Sequence, residues 1–219
     1  MKNIWNKFTV LATGYALSLV AIGAKPAQAA NIIQNGSFEI GPEPGEFLPL
    51  SVGSTDIQDW TVIKGGIDYY GTGWLAADGN RSLDLNGTPG VGGVAQTFST
   101  QEGQQYLVSF DFAGHPSGFL QTMEVAAAGQ SELFSFQAGT DLRNIGWETQ
   151  SWLFTAIDTE TTLEFASLQT DYEFGGPALD NVSVTAVSVP EPMTIMGSVV
   201  AVFFGSFLKR SQSKKKDLA

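Results

Sequence analysis

The chain has 219 residues, a formal net charge of −11 and no cysteine, so disulfide bridges and thiolate metal sites are excluded. The charge is unevenly spread. Between Ala30 and Ser188 there are three basic and 20 acidic residues, a net charge of −17, and the other eight basic residues lie outside this segment. Such an acidic segment repels nucleic acid and anionic lipid. It suits calcium, neutral polysaccharide or a basic partner, although solubility alone would also explain it.

Residues 1–29 have the three parts of a secretory signal peptide. Lys2 and Lys7 give a basic start, and the apolar run FTVLATGYALSLVAIGA follows. Ala27 and Ala29 then form the small-x-small pattern that signal peptidase recognises. We therefore expect secretion across the inner membrane, with cleavage after Ala29. The alternative is an uncleaved membrane anchor.

Residues 189–219 form a second distinct end. Pro190, Glu191 and Pro192 precede the apolar run MTIMGSVVAVFFGSFL and a basic cluster. The prolines favour an extended backbone. The apolar run is slightly shorter than the ~20 residues of a full membrane span, and its basic flank favours the cytoplasmic side.

This end resembles the PEP-CTERM sorting tail of bacterial exported proteins. The resemblance implies that Pro190, Glu191 and Pro192 are recognised by a membrane protease of the exosortase type. It also implies that the apolar helix holds the protein in the membrane before processing, and that the protein accompanies exopolysaccharide at the cell envelope, cell surface or matrix. The alternative is an ordinary tail anchor behind a proline-rich linker.

Residues 30–188 predict one all-β domain. Apolar and polar residues alternate in short runs, and pairs such as Gly65-Gly66 and Asn86-Gly87 between the runs are typical of turns. No window predicts an amphipathic helix. About ten short strands favour a jelly-roll β-sandwich. The predicted strands are 60–64, 67–70, 82–85, 94–99, 106–112, 120–126, 133–136, 148–156, 162–165 and 182–184.

The order of motifs in this domain carries a second resemblance. The opening Asn31–Glu39 and the closing Gly176–Val184 resemble the first and last segments of galactose-binding-like jelly rolls. With the strands between them, they are similar to the choice-of-anchor C family and to the plant cell-wall family named domain of unknown function 642. The resemblance implies association with cell-wall or extracellular polysaccharide and leaves the activity undefined.

The same resemblance implies a candidate metal site. In related carbohydrate-binding jelly rolls a structural calcium often joins the first and last strands, and the matching carboxylates here are Glu39 and Asp180. Calcium takes six to eight oxygen ligands, so backbone carbonyls and water would have to complete the site. The alternative is that both carboxylates cap turns or accept backbone N–H groups.

Aromatic residues are the candidates for sugar binding, because sugar rings stack their apolar faces on exposed Trp or Tyr. Trp74 and Tyr172 lie in loop-like segments, and Trp60 is a third candidate although its pattern is strand-like. Trp147 and Trp152 also have strand-like patterns, which are more typical of a core.

No catalytic or cofactor residue is predicted. His115 is the single histidine, and the Gly-x-Ser-x-Gly nucleophile motif is missing. The resulting hypothesis is an exported, exosortase-sorted surface or matrix protein whose domain binds extracellular polysaccharide without turning it over. One alternative is a polysaccharide-active hydrolase, which needs two carboxylates in a cleft beside aromatic residues. The other is a structural coat protein, which would expose an apolar patch.

Overall fold

The computed structural model describes residues 30–87, 90–169 and 175–188. They form eleven strands in two antiparallel sheets, which confirms the predicted all-β sandwich. The strands are β1 (Phe47–Ser51), β2 (Thr61–Lys64), β3 (Gly66–Tyr70), β4 (Ser82–Asp84), β5 (Gly92–Ser99), β6 (Gln105–Gly114), β7 (Leu120–Ala127), β8 (Gln130–Gln137), β9 (Glu148–Thr155), β10 (Glu160–Ser167) and β11 (Pro177–Ala186).

Both predicted end segments, 1–29 and 189–219, and the candidate Tyr172 lie outside the described residues. Within the part that is described, no helix is long and apolar enough to cross a membrane.

The pairing of the last eight strands identifies the jelly roll. One sheet has the order β1-β3-β4-β11-β6-β9 and the other β2-β5-β10-β7-β8. Strands β7 and β8 form the innermost hairpin. The pairs β6 with β9, β5 with β10 and β4 with β11 enclose it in turn. Such nesting arises when one long antiparallel hairpin is rolled into two facing sheets.

The core lies between the sheets because side chains alternate sides along each strand. In β7, buried Met123 and Val125 alternate with less buried neighbours. The Phe110 ring from β6 packs edge-on against Phe165 of β10 and Phe134 of β8, with centroid distances of 5.2 and 5.1 Å. Burial of each such ring stabilises the fold by roughly 1.5–3 kcal/mol.

A β-bulge in β11 keeps this alternation in phase. The register with β6 shifts between Asp180 and Ser183, and Asn181 has φ of 50°. Leu179 before the bulge and Val182 after it both face the core. Because of the extra residue, the core-facing side chains of β11 have odd residue numbers before the bulge and even numbers after it. Asparagine tolerates the left-handed backbone that the bulge requires.

One strand was not predicted from the sequence. β1 contains Pro49, which donates no backbone hydrogen bond, so the sequence here is a weak strand pattern. The strand lies at the edge of the six-stranded sheet and pairs only with β3 among the described strands. An edge position has one side without a partner strand, and proline is tolerated there.

The outer faces of the two sheets differ. On the six-stranded sheet, two connections fold back over the strands: the β3–β4 loop (residues 71–81) and the β8–β9 loop (residues 138–147). We call the covered surface the roofed face. Its strand residues are mostly buried even though they point away from the core: Asp68, Tyr70, Ser82, Asp84, Asp111, Ala113, Ala178 and Asp180.

Candidate functional site

Glu39 holds the end of the β3–β4 loop. One oxygen, Oε1, accepts hydrogen bonds from the backbone N–H groups of Asn80 and Arg81, each at 2.7 Å. Gly79, just before them, has φ of +68°, and a side chain there would collide with the Glu39 carboxylate. Glycine is therefore required both for the turn and for its close approach to Glu39.

Asp180 holds the middle of the same loop. Its Oδ2 accepts the N–H groups of Ala77 at 2.8 Å and Asp78 at 2.9 Å, and its Oδ1 accepts the N–H of Asn181 at 2.6 Å. The two carboxylates predicted to act together thus converge on one loop. We call the arrangement of Glu39, Asp180 and the amides of residues 77–81 the loop clamp.

The loop clamp is held without an ion, because three of the four carboxylate oxygens of Glu39 and Asp180 accept backbone N–H groups. Among the described residues, no three of His, Cys, Asp or Glu are grouped to hold a metal ion. The calcium site stays a prediction, and the hydrogen bonds provide the alternative role for both carboxylates.

Two aspartates on the roofed face have strongly shifted pKa values. Burial raises the pKa of Asp180 to about 7, although the N–H groups of the loop clamp favour its charged form. Burial also raises the pKa of Asp84 to about 7, and the negative charge of neighbouring Asp68 adds to the shift. Asp84 Oδ1 accepts the N–H of Asn86, whereas its buried Oδ2 has no hydrogen-bond partner among the described residues.

Trp74 is not the open loop residue that the sequence predicts. Its indole is only 4% exposed and stacks on Tyr70, with ring centroids 3.5 Å apart and an angle of 8° between the rings. The indole Nε1–H donates to Ser82 Oγ at 2.7 Å, and His115 packs edge-on at 5.9 Å. Gly71 and Gly73 allow this close packing, because a side chain at either position would collide with the Gly45 carbonyl oxygen or the Tyr70 ring.

Trp60 lies in the main core. It is 2% exposed, its Nε1–H donates to the carbonyl oxygen of Asn35 at 2.9 Å, and its ring packs against Phe38 and Phe165. A sugar could reach Trp60 only if the sandwich opened. The prediction for Tyr172 stays a prediction.

A groove of two adjoining hollows runs along the roofed face. One hollow of about 500 Å³ lies against the β3–β4 loop and the other, of about 570 Å³, extends to β6 and β9. Leu75, Ala76 and Arg143 line both hollows, so the two lie side by side. The other residues lining the first hollow are Gly71, Thr72, Gly73, Trp74, Gly79, Asn80, Arg81 and Leu142. Those lining the second are Ala77, Asp111, Asn144, Ile145, Trp147 and Thr149.

Trp147 is the aromatic wall of the groove. It is partly buried, and its inner side packs against the apolar cluster that includes Trp74 and Ile145. Its Nε1–H donates to the carbonyl oxygen of Leu75 at 2.9 Å, which fixes the ring and ties the two loops together. Leu75 is 70% exposed, so an apolar surface stands beside the indole at the rim.

The charged side chains of the groove are Arg81, Arg143 and Asp111. Arg81 is held by Glu43 through a 2.7 Å ion pair, and this partner raises its pKa further. Asp111 accepts hydrogen bonds from Thr149 Oγ1 at 2.6 Å and Asn181 Nδ2 at 2.9 Å, one on each carboxylate oxygen. Arg143 is exposed and makes no ion pair with any described residue.

The outer face of the five-stranded sheet, which we call the open face, contains a shallower hollow of about 290 Å³. Glu124 and Glu164 line it together with alanine, glycine, serine, glutamine and threonine, and its described lining includes no aromatic residue. The groove has the aromatic wall but one carboxylate, Asp111. Within the part of the chain that the structure describes, neither place combines a pair of carboxylates with an aromatic platform.

Sequence reasoning missed Trp147 because an apolar residue next to a strand pattern predicts a core position. The clue available in the sequence was Gly146, because glycine is typical of turns; in the structure it has φ of +81° and stands two residues before β9. A tryptophan at the junction of a turn and a strand stands at the end of a sheet, where loops build binding sites.

Comparison with known proteins gives a family match and two curated relatives. The family model described as "Protein of unknown function (DUF642)" matches residues 31–185. Halomucin from Haloquadratum walsbyi (strain DSM 16790 / HBSQ001) is 32% identical over 190 residues, covering 83% of this chain and 2% of that protein. The Arabidopsis thaliana protein "DUF642 L-GALACTONO-1,4-LACTONE-RESPONSIVE GENE 1" is 24% identical over 170 residues, covering 73% of this chain and 44% of that protein. The chain thus spans less than half the length of either relative.

Among solved structures, a family 35 carbohydrate-binding module from Clostridium thermocellum superimposes with a TM-score of 0.46 and 13% identity. The superposition covers 64% of this chain and 99% of that module.

Proposed function

Because the chain belongs to the DUF642 family of proteins of unknown function, we propose a function from its own groove: a non-catalytic domain that binds extracellular polysaccharide. The observation that carries the proposal is the Trp147 indole, fixed by its hydrogen bond to Leu75 and lining an open groove on the roofed face. A fixed aromatic ring beside polar groups suits a sugar, because the ring contacts the C–H face while the polar groups bond the hydroxyls.

The polar groups of the groove complete this requirement. Asn144 and Thr149 line the same hollow as Trp147, and Asn80 lines the adjoining one, so amide and hydroxyl groups are available to the hydroxyls of a bound sugar. The two hollows in series provide room for more than one sugar ring. The groove is therefore better matched to a chain of sugars than to a single small molecule.

Binding is favoured over hydrolysis. Glycoside hydrolysis usually requires two carboxyl groups about 5–10 Å apart on either side of the bond that is cleaved. Among the described residues, Asp111 is the single carboxylate lining the groove, and both of its oxygens accept hydrogen bonds from the protein. A group held in this way serves to position Thr149 and Asn181 rather than to transfer protons.

The binding domain would act outside the cytoplasm. The signal-peptide pattern with Ala27 and Ala29 supports export through signal peptidase, and Pro190-Glu191-Pro192 supports sorting by an exosortase-type protease to the cell surface or matrix. Intact mass of the mature protein should show loss of residues 1–29 and of those beyond Pro192. Full-length mass would contradict the export proposal.

A sorting test follows from the same motif. Replacing Pro190 and Pro192 by alanine should leave the protein in the inner membrane, because the extended backbone that a protease grips would be lost. Normal delivery of this variant to the surface would contradict exosortase sorting and leave the binding proposal untouched.

The binding proposal is tested with a glycan array probed with the purified full chain and with Trp147→Ala. We expect binding to oligosaccharides of two or more sugars, and loss of that binding in the variant. Product analysis of each bound glycan should show no cleavage. Absence of binding to every glycan, or equal binding by Trp147→Ala, would contradict the proposal.

A further inference from the structure

The distribution of positive charge singles out the groove. The three basic residues between Ala30 and Ser188 are Lys64, Arg81 and Arg143, against 20 acidic residues. Lys64 ends β2 in the five-stranded sheet, and both arginines line the groove. A segment with a net charge of −17 thus places two of its three cations in the groove, and one of them, Arg143, lines the same hollow as Trp147.

The two arginines are in different states. Arg81 is fixed: its backbone N–H bonds to Glu39 in the loop clamp, and its guanidinium pairs with Glu43. Its charge is therefore largely balanced. Arg143 is held only by its backbone N–H, which donates to Asp141 Oδ1 at 2.9 Å, and its guanidinium is exposed without an ion pair to any described residue. Arg143 also lies where the two hollows meet.

An exposed guanidinium that makes no ion pair with a described residue, where the two hollows of the groove meet, is available to a ligand. Arginine presents a planar fork of N–H donors that matches the two oxygens of a carboxylate, and it binds sulfate oxygens in the same way. A neutral sugar would gain little from this charge. Building on the proposed function, we infer that Arg143 selects glycans that carry an acidic sugar unit, with the oxyanion at Arg143 and the adjoining ring on Trp147.

The surrounding charge limits how many acidic units such a glycan carries. Beyond the groove the domain is strongly negative, and at physiological ionic strength charges repel each other over about 8 Å. A polyanion would extend past Arg143 into this repulsion. The fitting ligand is therefore a mainly neutral polysaccharide with sparse acidic units, and a polymer charged on every sugar is disfavoured.

Matched oligosaccharides test the inference with the full chain. Tetramers of β-1,4-linked glucose, xylose, mannose and galactose are each prepared in neutral form, with one terminal uronate and with one sulfate ester. We expect at least one backbone to bind about tenfold more tightly with a single acidic unit. Comparison of the uronate and sulfate arms identifies the oxyanion, and a fully charged polygalacturonate should bind more weakly per site than the singly charged tetramer.

Variants assign the effect to Arg143. Arg143→Gln should remove the preference for the acidic tetramer, because it should lower the affinity for that tetramer about tenfold more than the affinity for the neutral one. Arg143→Lys, which keeps the charge without the fork, should retain part of the preference. Lys64→Gln removes the same charge from the five-stranded sheet and should have no effect.

The outcomes separate the two proposals. If neutral and acidic tetramers bind equally, or Arg143→Gln weakens both alike, the acidic preference is wrong while carbohydrate binding stands. If no tetramer of any backbone binds, both proposals fail.

Discussion

The roofed face and the open face belong to the same sandwich and have the same strand geometry, yet they differ in what they bury. The open face leaves Glu124 and Glu164 accessible beside small residues around a shallow hollow. The roofed face buries four aspartates: Asp68, Asp84, Asp111 and Asp180.

Burying a carboxylate costs stability unless hydrogen bonds or other charges compensate for the lost water. The roofed face compensates in part, through the loop clamp and the bonds to Asp111. The raised pKa values of Asp84 and Asp180 show that the compensation is incomplete. We interpret this cost as a consequence of building a groove. The buried Asp180 holds the β3–β4 loop above the sheet, and Trp147 forms its hydrogen bond to Leu75 in that loop.

The largest expected difference between the faces concerns Asp180. Asp180→Ala removes the acceptor for three partly buried backbone N–H groups, and a donor left without a partner costs about 1–3 kcal/mol when it is fully buried. We expect the free energy of unfolding to fall by about 3 kcal/mol in denaturant titration. Glu164→Ala on the open face is the control and should change it by less than about 0.5 kcal/mol. Equal effects at the two sites would mean that the loop clamp does not stabilise the fold.

Next in size is the effect of Trp147 on glycan affinity. Trp147→Ala should weaken binding of an array-selected glycan by about 2 kcal/mol, a typical loss for an aromatic residue at a binding centre, whereas Trp147→Phe should keep part of the affinity. Calorimetry measures both. Leu133→Ala, at an exposed position of the open face, is the matched control. If Leu133→Ala lost as much affinity as Trp147→Ala, the proposal that the glycan binds the groove of the roofed face would be contradicted.

A third difference is the response to pH. The pKa of Asp84 in the folded protein, about 7, lies above its ordinary value of 3.8, so the folded state binds more protons than the unfolded state between these values. Stability should therefore fall as pH rises from 4 to 7 and level off above it, because the buried carboxyl becomes charged.

Asp84→Asn isolates this contribution. The variant should melt about 5 °C higher than the parent at pH 8 and at nearly the same temperature at pH 4. Glu124→Gln on the open face should leave the pH dependence as it is. A melting temperature of Asp84→Asn that follows the parent at every pH would show that Asp84 is not a buried acid with a raised pKa.

The smallest expected effect is that of calcium. If amide hydrogen bonds alone hold the loop clamp, adding EDTA should change the melting temperature by less than about 1 °C, since no bound ion would be lost. A fall of several degrees on chelation, absent in Glu39→Gln, would contradict this account and support the calcium site predicted for Glu39 and Asp180.

The sequence predicts the fold well because strand alternation and turn residues are local. The strands from β2 to β11 were each expected near their observed positions, and β1 was missed because Pro49 weakens its pattern. The nested pairing follows from the resemblance to jelly rolls, since no single strand shows which partner it will choose.

The site was predicted less well because it depends on contacts between distant segments. The sequence predicts that Glu39 and Asp180 act together, and both do contact the same loop. The sequence of that loop does not indicate that its backbone N–H groups bond to these carboxylates. The predictions for Trp74 and Trp147 are the reverse of what the structure has. Trp74, expected in an open loop, is buried by stacking on Tyr70, and Trp147, expected in the core, lines the groove. Whether a loop packs onto a sheet or extends into solvent depends on the side chains that the sheet presents to it, and those come from distant parts of the sequence.

The most direct test of the account follows the indole N–H signals of the protein by NMR while an array-selected glycan is added. The chain has five tryptophans, and substitution of Trp147 by phenylalanine assigns its signal. We expect the Trp147 signal to shift in proportion to occupancy, a smaller shift for Trp74 behind it, and none for Trp60 in the core. A bound glycan that leaves the Trp147 signal unmoved and instead shifts backbone signals of Glu124 and Glu164 would show that the open face is the binding surface.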